Sequence, residues 1–143
     1  MSVANIIALK GRDVVTTTPD HTLFDLVKLL SDKSIGAVVV VSSAQEVVGI
    51  ISERDVMRTI ARFGMKSLEE RVSSHMTKNI EVTHEDASVV SVMQRMTKGR
   101  FRHMPVLDNG KLCGLISIGD LIKNRLSEME SEQQALKEYI GAA

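Results

Sequence analysis

Two short segments of the chain each place a serine three residues before an aspartate, directly after an apolar run. The pairs are Ser52 with Asp55 and Ser117 with Asp120. An ionised aspartate has two acceptor oxygens and can accept a hydrogen bond from each hydroxyl of a ribose cis-diol. The serine hydroxyl and the free N–H groups at the start of a helix favour a phosphate. The same spacing also forms a helix capping box, which needs no ligand, so both interpretations stay open for each segment.

The charge near the two aspartates differs. Arg54 lies inside the first segment, where Gly119 stands in the second. A phosphate favours arginine or protonated histidine. The sequence therefore predicts that the Asp55 site prefers a phosphorylated ligand more strongly than the Asp120 site.

Both segments belong to an internal repeat. At an offset of 66 residues, two sets of apolar residues coincide with the same i, i+3, i+4, i+7 spacing, which predicts one amphipathic helix present twice. These sets are Leu23, Leu26, Val27, Leu30 and Val89, Val92, Met93, Met96. Asp20 and Asp86 precede the two helices and are predicted to cap them.

Strands follow each of these helices. Residues 36–41 and 102–107 read as buried strands, and after turns that differ by one residue, 47–52 and 112–117 read as their hairpin partners. The predicted fold class is therefore α+β, with a β-α-β-β-α unit present twice. Between the units, Ser67 and Glu70 have the spacing of a capping box and predict a short connecting helix.

The hairpin ends carry the signature of a known family. Gly49-Ile50-Ile51-Ser52-Glu53-Arg54-Asp55 and Gly114-Leu115-Ile116-Ser117-Ile118-Gly119-Asp120 resemble the G-h-h-[ST]-x-x-D motif of cystathionine β-synthase (CBS) domains. The resemblance runs from about Ile6 to Ile140 and implies two repeats packed with pseudo-twofold symmetry into one CBS-pair module. We expect repeats at 6–62 and 80–126, a connecting segment at 63–79 and a C-terminal helix extension at 127–143.

The resemblance also implies a ligand, because members of the family bind AMP, ADP, ATP, NAD(H) or S-adenosylmethionine in clefts between paired repeats. In related pairs the start of the second repeat's core strand faces the first repeat's nucleotide. This implies that Arg102 and His103 lie near Asp55, and that Gly36 and Ala37 lie near Asp120. The nucleotide-binding residues implied are Thr17, Gly36, Ala37, Ser52, Arg54, Asp55, Thr83, Arg102, His103, Met104, Pro105, Ser117 and Asp120.

Several of these residues have ordinary structural alternatives. Arg102 could be a solvated charge at a strand end, and His103 a half-buried histidine with no ligand. Thr17 and Thr83 could each cap a turn.

Composition excludes several other classes. A net charge of zero and a pI of 6.9 argue against a nucleic-acid partner. The single cysteine, Cys113, excludes an intramolecular disulfide, and the four histidines show no metal-ligand spacing. No P-loop, nucleophile elbow or membrane-length apolar run is present. We expect no catalytic residue, no metal, no membrane partner and, since the first residues lack the pattern of a secretion signal, a cytoplasmic location.

The C-terminal segment predicts a long helix with an apolar stripe. The stripe recurs at heptad-like spacing through Ile122, Leu126, Met129, Gln133, Leu136 and Ile140. It either packs on its own domain or forms a seam with a second subunit, and since CBS pairs commonly form two-fold dimers we expect a homodimer. The expected function is a non-enzymatic regulatory module that binds an adenine nucleotide (AMP, ADP, ATP or NAD(H)) and signals to a separate, unidentified protein. The alternative is an interaction scaffold that binds no ligand.

Overall fold

A computed structural model describes residues 1–142, in which five α-helices and two small sheets follow the repeat. The elements are, in order, α1 (Val3–Lys10), β1 (Thr16–Thr17), α2 (Leu23–Lys33), β2 (Ala37–Val41), β3 (Val47–Ser52), α3 (Glu53–Phe63), α4 (Val89–Gly99), β4 (His103–Asp108), β5 (Lys111–Ser117) and α5 (Ile118–Ala142). Two 3₁₀ turns, Met65–Glu69 and Val72–Ser74, connect α3 to the second repeat. The α+β class is confirmed.

Each repeat is built on an antiparallel hairpin. β2 pairs with β3 and, on its other side, runs parallel to β1; β4 pairs with β5. Both hairpins shift register at the same repeat position, between Val40 and Val41 and between Val106 and Leu107. The repeat therefore preserves an irregularity as well as the elements.

The first strand of the second repeat is shorter than expected. It is reduced to a single parallel bridge between Thr83 and Val106, whereas β1 pairs two residues with β2. Pro105 stands where the first repeat has Val39. Proline has no backbone N–H, so it cannot donate the next bond of the ladder.

Three local predictions of helix starts were wrong. The caps of α2 and α4 are Thr22 and Ser88, which accept the N–H groups of Asp25 and Ser91, and not Asp20 and Asp86. Ser67 lies inside a 3₁₀ turn instead of opening a helix, and its hydroxyl donates to the Gly64 carbonyl. At α2 and α4, a polar side chain closer to the helix start accepts the free backbone N–H that the expected cap would have bound. At Ser67, a tight 3₁₀ turn replaces the expected helix start.

The two hydrophobic cores are completed by exchanged segments. The core of the first repeat includes Val72 from the connecting segment. The core of the second repeat includes three residues of α1, namely Val3, Ile6 and Ile7. The segment before the first repeat thus packs in the core of the second, and the segment before the second repeat packs in the core of the first. Because of this exchange, the pair folds as one module with pseudo-twofold symmetry.

This exchange explains the glycine of the signature motif. A Cβ built on Gly114 would lie 2.3 Å from Cδ1 of Ile7, and one built on Gly49 would lie 2.5 Å from Sδ of Met76. Real Cβ atoms do not approach other atoms so closely. Glycine therefore lets α1 and the connecting segment pack directly across the two hairpins, whereas a Cβ at either position would force Ile7 or Met76 to shift.

Helix α5 runs without interruption from the second repeat into the C-terminal extension. The apolar residues of its stripe stay about half exposed within the chain, from 45 % for Ile122 to 65 % for Ile140. The stripe thus does not pack back on its own domain. The expected extension at 127–143 includes Ala143, which lies outside the described residues.

Candidate functional site: a cleft between the repeats

The Ser52–Asp55 pair lies at the junction of β3 and α3 and forms a reciprocal capping box. The Asp55 N–H donates to Ser52 Oγ at 3.3 Å, and Oδ2 of Asp55 accepts the Ser52 N–H at 2.8 Å and the Ser52 hydroxyl at 2.9 Å. Within residues 1–142 no hydrogen bond involves Oδ1 of Asp55. One carboxylate oxygen thus caps the helix and the other remains available to a ligand.

A cleft of about 430 Å³ opens at this junction, between the two repeats. Its volume is in the range of small-molecule sites. The first repeat contributes the β3 end and the start of α3, and the second contributes the chain between α4 and β4. The lining residues are Gly36, Ile50, Ser52, Glu53, Arg54, Asp55, Arg58, Thr77, Asn79, Ile80, Glu81, Gly99, Arg100, Phe101, Arg102 and His103.

Four arginines line the cleft: Arg54 and Arg58 from α3, and Arg100 and Arg102 from the second repeat. Among residues 1–142, none of the four makes a salt bridge to a carboxylate, whereas four other arginines of the chain do. The N-terminus of α3 adds its free N–H groups and positive dipole end. The cleft therefore holds four arginines against three lining carboxylates, Glu53, Asp55 and Glu81, of which Glu81 is already paired with Arg95.

His103 lies at the start of β4, half-buried at the edge of the cleft. Burial lowers the pKa of His103, and the positive charges of Lys10 and Arg102 lower it further against the opposing effects of Asp120 and Glu53. The neutral imidazole is thus favoured in the folded protein without ligand. An anion bound beside it would favour the charged form.

The counterpart pair, Ser117 and Asp120, forms the same reciprocal contact at the junction of β5 and α5. Here Lys10 from α1 also reaches in, placing its Nζ 2.7 Å from Asp120 Oδ2 and 2.6 Å from the Leu115 carbonyl oxygen. Burial raises the pKa of Asp120, but the hydrogen bonds from Lys10 and Ser117 outweigh it and hold that pKa below its ordinary value. Sequence reasoning did not place Lys10 beside Asp120, because these two residues are 110 positions apart in the chain.

Comparison with known proteins identifies the fold. The profile of the CBS domain family matches residues 6–62 and 72–127. The chain belongs to the CBS-domain family.

Relatives of the whole CBS pair support this membership. The chain is 35 % identical over 148 residues to the mitochondrial CBS domain-containing protein CBSX3 of Arabidopsis thaliana, with 97 % of this chain and 71 % of that protein aligned. It is also 28 % identical to CBSCBSPB2 of the same plant, of which it spans only 23 %. The CBS pair is thus one part of some longer relatives.

Solved CBS structures superpose closely. The CBS-domain containing protein ATU1752 from Agrobacterium tumefaciens shares 44 % identity and a TM-score of 0.84, over 87 % of this chain and 92 % of that one. The CBS domain pair of protein MJ0100, solved in complex with 5'-methylthioadenosine and S-adenosyl-L-methionine, shares 22 % identity and a TM-score of 0.80, over 90 % and 98 %. This second likeness concerns the fold alone.

The structure brings six of the residues implied by the CBS resemblance to the Asp55 cleft: Gly36, Ser52, Arg54, Asp55, Arg102 and His103. Arg102 and His103 line this cleft, and His103 also lies near enough to Lys10 and Asp120 to be affected by their charges. Gly36 was expected beside Asp120, but it lines the Asp55 cleft, where its carbonyl accepts the Glu53 N–H.

The other implied residues lie outside this cleft. Ala37, Met104 and Pro105 are buried in the hairpins, and Met104 belongs to the core of the second repeat. Thr17 is buried with its hydroxyl 2.9 Å from His21 Nδ1, and Thr83 is buried at its bridge to Val106. Ser117 and Asp120 lie at the second junction described above.

Sequence reasoning missed several lining residues of the Asp55 cleft. Arg58 lies one helical turn after Arg54, a spacing that could have signalled a shared face. Arg100 adopts the left-handed conformation at the end of α4, as Ser34 does at the end of α2. Asn79 is matched by a different residue, Asp13, at the 66-residue offset, so the repeat drew no attention to it.

Neither a metal centre nor a membrane span is evident in residues 1–142. No group of three or more His, Cys, Asp or Glu side chains is arranged there to hold a metal ion. None of the helices over the same range is long and apolar enough to cross a membrane.

Proposed function

We propose that this CBS pair is a non-enzymatic regulatory module that binds an adenine nucleotide in the Asp55 cleft and signals its presence to a partner protein. The observation that carries the proposal is the convergence of four arginines, none in a salt bridge within residues 1–142, on the N-terminus of α3. The four guanidinium groups outnumber the three carboxylates that line the cleft, so its excess charge is positive and attracts anions. Arginine forks suit phosphate oxygens in particular.

The remaining chemistry of the cleft suits the rest of a nucleotide. Oδ1 of Asp55 can accept a ribose hydroxyl, and Ile50, Ile80 and Phe101 offer apolar surface to a base. MJ0100, a relative by fold, was solved with two adenosine-containing ligands. We therefore expect AMP, ADP, ATP or NAD(H) to bind here, and the cationic S-adenosylmethionine to bind more weakly.

We assign the regulated partner to a separate protein, and the site of action to the cytoplasm. A signal requires that nucleotide binding change the affinity for that partner, and such couplings are typically about 1–3 kcal/mol. The Asp55 cleft lies between the two repeats, so a ligand there contacts both and can alter their relative arrangement.

The exposed stripe of α5 favours a second candidate function, a dimerisation scaffold that acts without ligand. Leu126 and Met129 are each more than half exposed, which is costly for a helix with no partner. A homodimer is compatible with both candidates. Nucleotide binding distinguishes them.

Thermal unfolding with a panel of ligands tests the proposal. A ligand that binds only the folded state adds about 2.7 kcal/mol at 100 times its dissociation constant, which raises the melting temperature of a chain of this size by roughly 5–10 °C. The panel comprises AMP, ADP, ATP, NAD⁺, NADH, S-adenosylmethionine and uncharged adenosine. We expect a shift with phosphorylated ligands that exceeds the shift with adenosine.

Two controls sharpen this test. The Asp55→Ala variant should lose the shift, whereas Asp32→Ala, which removes an exposed carboxylate on α2, should keep it. No shift with any ligand would refute nucleotide sensing and favour the scaffold.

A further inference from the structure

Helix α1 ends beside the second aspartate of the pair. Lys10 is its last residue, and the Lys10 ammonium joins the Leu115 carbonyl on β5 to the Asp120 carboxylate at the start of α5. The Lys10 side chain therefore crosses the junction of β5 and α5 in the second repeat. The equivalent junction of the first repeat, between β3 and α3, opens into the Asp55 cleft.

The first repeat meets the same hydrogen-bonding needs without a cation. The carbonyl oxygen of Ile50, the counterpart of Leu115, accepts the backbone N–H of Thr77 at 2.9 Å. In the second repeat the exchanged segment is still helical at this point, so its backbone N–H groups are used within α1. The Lys10 ammonium replaces that N–H and binds Asp120 as well.

The exchanged segments also show which residue Lys10 replaces. Val3 and Val72 fill equivalent core positions, and Ile7 and Met76 face equivalent glycines, each pair 69 residues apart. At that offset Lys10 corresponds to Asn79, which lines the Asp55 cleft. The neutral amide of Asn79 at the Asp55 cleft thus corresponds to the Lys10 ammonium, which is bound to Asp120 at the second junction.

We infer that Lys10 is an affinity-determining residue that occupies the junction of β5 and α5 at Asp120 and weakens nucleotide binding at that junction. This inference rests on the proposed function. The Lys10 ammonium is bound to Oδ2 of Asp120, so a ribose hydroxyl that donates to this carboxylate meets an acceptor whose charge is already balanced, beside the Lys10 side chain. Since hydrogen bonds to charged groups are worth more than neutral ones, and the pair is partly exposed, we expect a weakening of about tenfold.

Calorimetric titration of AMP into variants that already carry Asp55→Ala tests the inference, because this background removes the carboxylate that is proposed to bind the ribose in the Asp55 cleft. Adding Lys10→Met should lower the dissociation constant for AMP at the Asp120 junction about tenfold. Lys10→Arg in the same background keeps a cation and should leave the constant unchanged. Lys66→Met, which removes an exposed lysine of the connecting 3₁₀ turn, is the matched control.

Two outcomes would overturn the inference. Equal affinity, or no detectable AMP binding, with and without Lys10→Met would show that Lys10 does not limit binding at this junction. Weaker binding with Lys10→Met would show that Lys10 turns toward the ligand and holds its phosphate. Unfolding temperatures establish that each variant is folded, and Lys10→Gln replaces Lys10→Met if it is not.

The wild-type titration keeps this inference separate from the proposed function. Binding of AMP to the wild type depends on the Asp55 cleft, and its failure would count against the proposed function. The effect of Lys10→Met is measured at the Asp120 junction and is judged on its own.

Discussion

Replacing Gly114 by alanine should destabilise the protein through a clash with α1. The added Cβ would lie 2.3 Å from Cδ1 of Ile7, against about 3.5–4.0 Å for a relaxed carbon contact. Ile7 is 1 % exposed and packed in the second core, so it has little room to move. Overpacking of this kind costs about 1–3 kcal/mol.

The second half of this prediction is a rescue. Ile7→Val removes Cδ1, and the next atom of Ile7 lies 3.4 Å from the built Cβ, which is an ordinary contact. Alone, Ile7→Val should cost about 0.5–1.5 kcal/mol. Combined with Gly114→Ala, it should cost less than the sum of the two single changes, with a coupling of about 0.5 kcal/mol or more.

Equilibrium urea unfolding measures all three variants at constant m. Gly119→Ala is the matched control, because its Cβ would meet only Ser117 Oγ at 3.6 Å and alanine favours the helix. A Gly114→Ala variant as stable as wild type, or strictly additive costs in the double variant, would refute the packing of α1 across β5.

Two further predictions concern the helix stripe and the cleft histidine. The double variant Leu126→Glu with Leu136→Glu should convert a dimer into a monomer in sedimentation. The control Ser127→Glu with Ser131→Glu adds the same charges to the opposite face of α5 and should stay dimeric. A monomeric wild type would contradict a dimer interface along the α5 stripe. Because folding lowers the pKa of His103, wild-type stability should fall as the pH drops below about 6.5, where the unfolded chain takes up the proton first. His103→Gln should lose less stability than wild type between pH 7 and the lowered pKa, while a decline as steep as that of the exposed-histidine control His84→Gln would contradict it.

Much of the fold was predictable because the spacing of apolar residues along the chain indicates the helices and strands of each repeat. The i, i+3, i+4, i+7 pattern of α2 and α4 and the β-branched runs of the hairpins depend only on neighbouring residues. The duplicated Gly-x-Ile-Ser-x-x-Asp pattern then identified the family. Local ambiguity explains the wrong caps: Asp20 and Thr22 both precede α2, and only the tertiary structure selects Thr22.

The exchange of leading segments was not predictable from the same evidence. Val3 and Val72 correspond at an offset of 69, which differs from the 66 and 65 of the repeats. A short helix such as α1 carries no sign of which repeat it will cover. The Lys10 contact with Asp120 depends on this exchange, so the charge at the second junction was missed with it.

The candidate site was only partly predictable, because some of its residues lie in the sequence motif and others are brought to it only by the fold. Asp55 and Arg54 lie in the motif, and Arg102 followed from the family's cross-repeat geometry. Arg58 and Arg100 join the cleft only because the α3 start and the α4 end meet in space.

Calorimetric titration of AMP into the wild type, Asp55→Ala and Asp120→Ala tests the central claim most directly. If the cleft with four arginines holds the nucleotide, tight binding disappears in Asp55→Ala and survives in Asp120→Ala. The reverse pattern, with binding retained in Asp55→Ala and lost in Asp120→Ala, would show that the nucleotide binds beside Lys10 and would contradict the account.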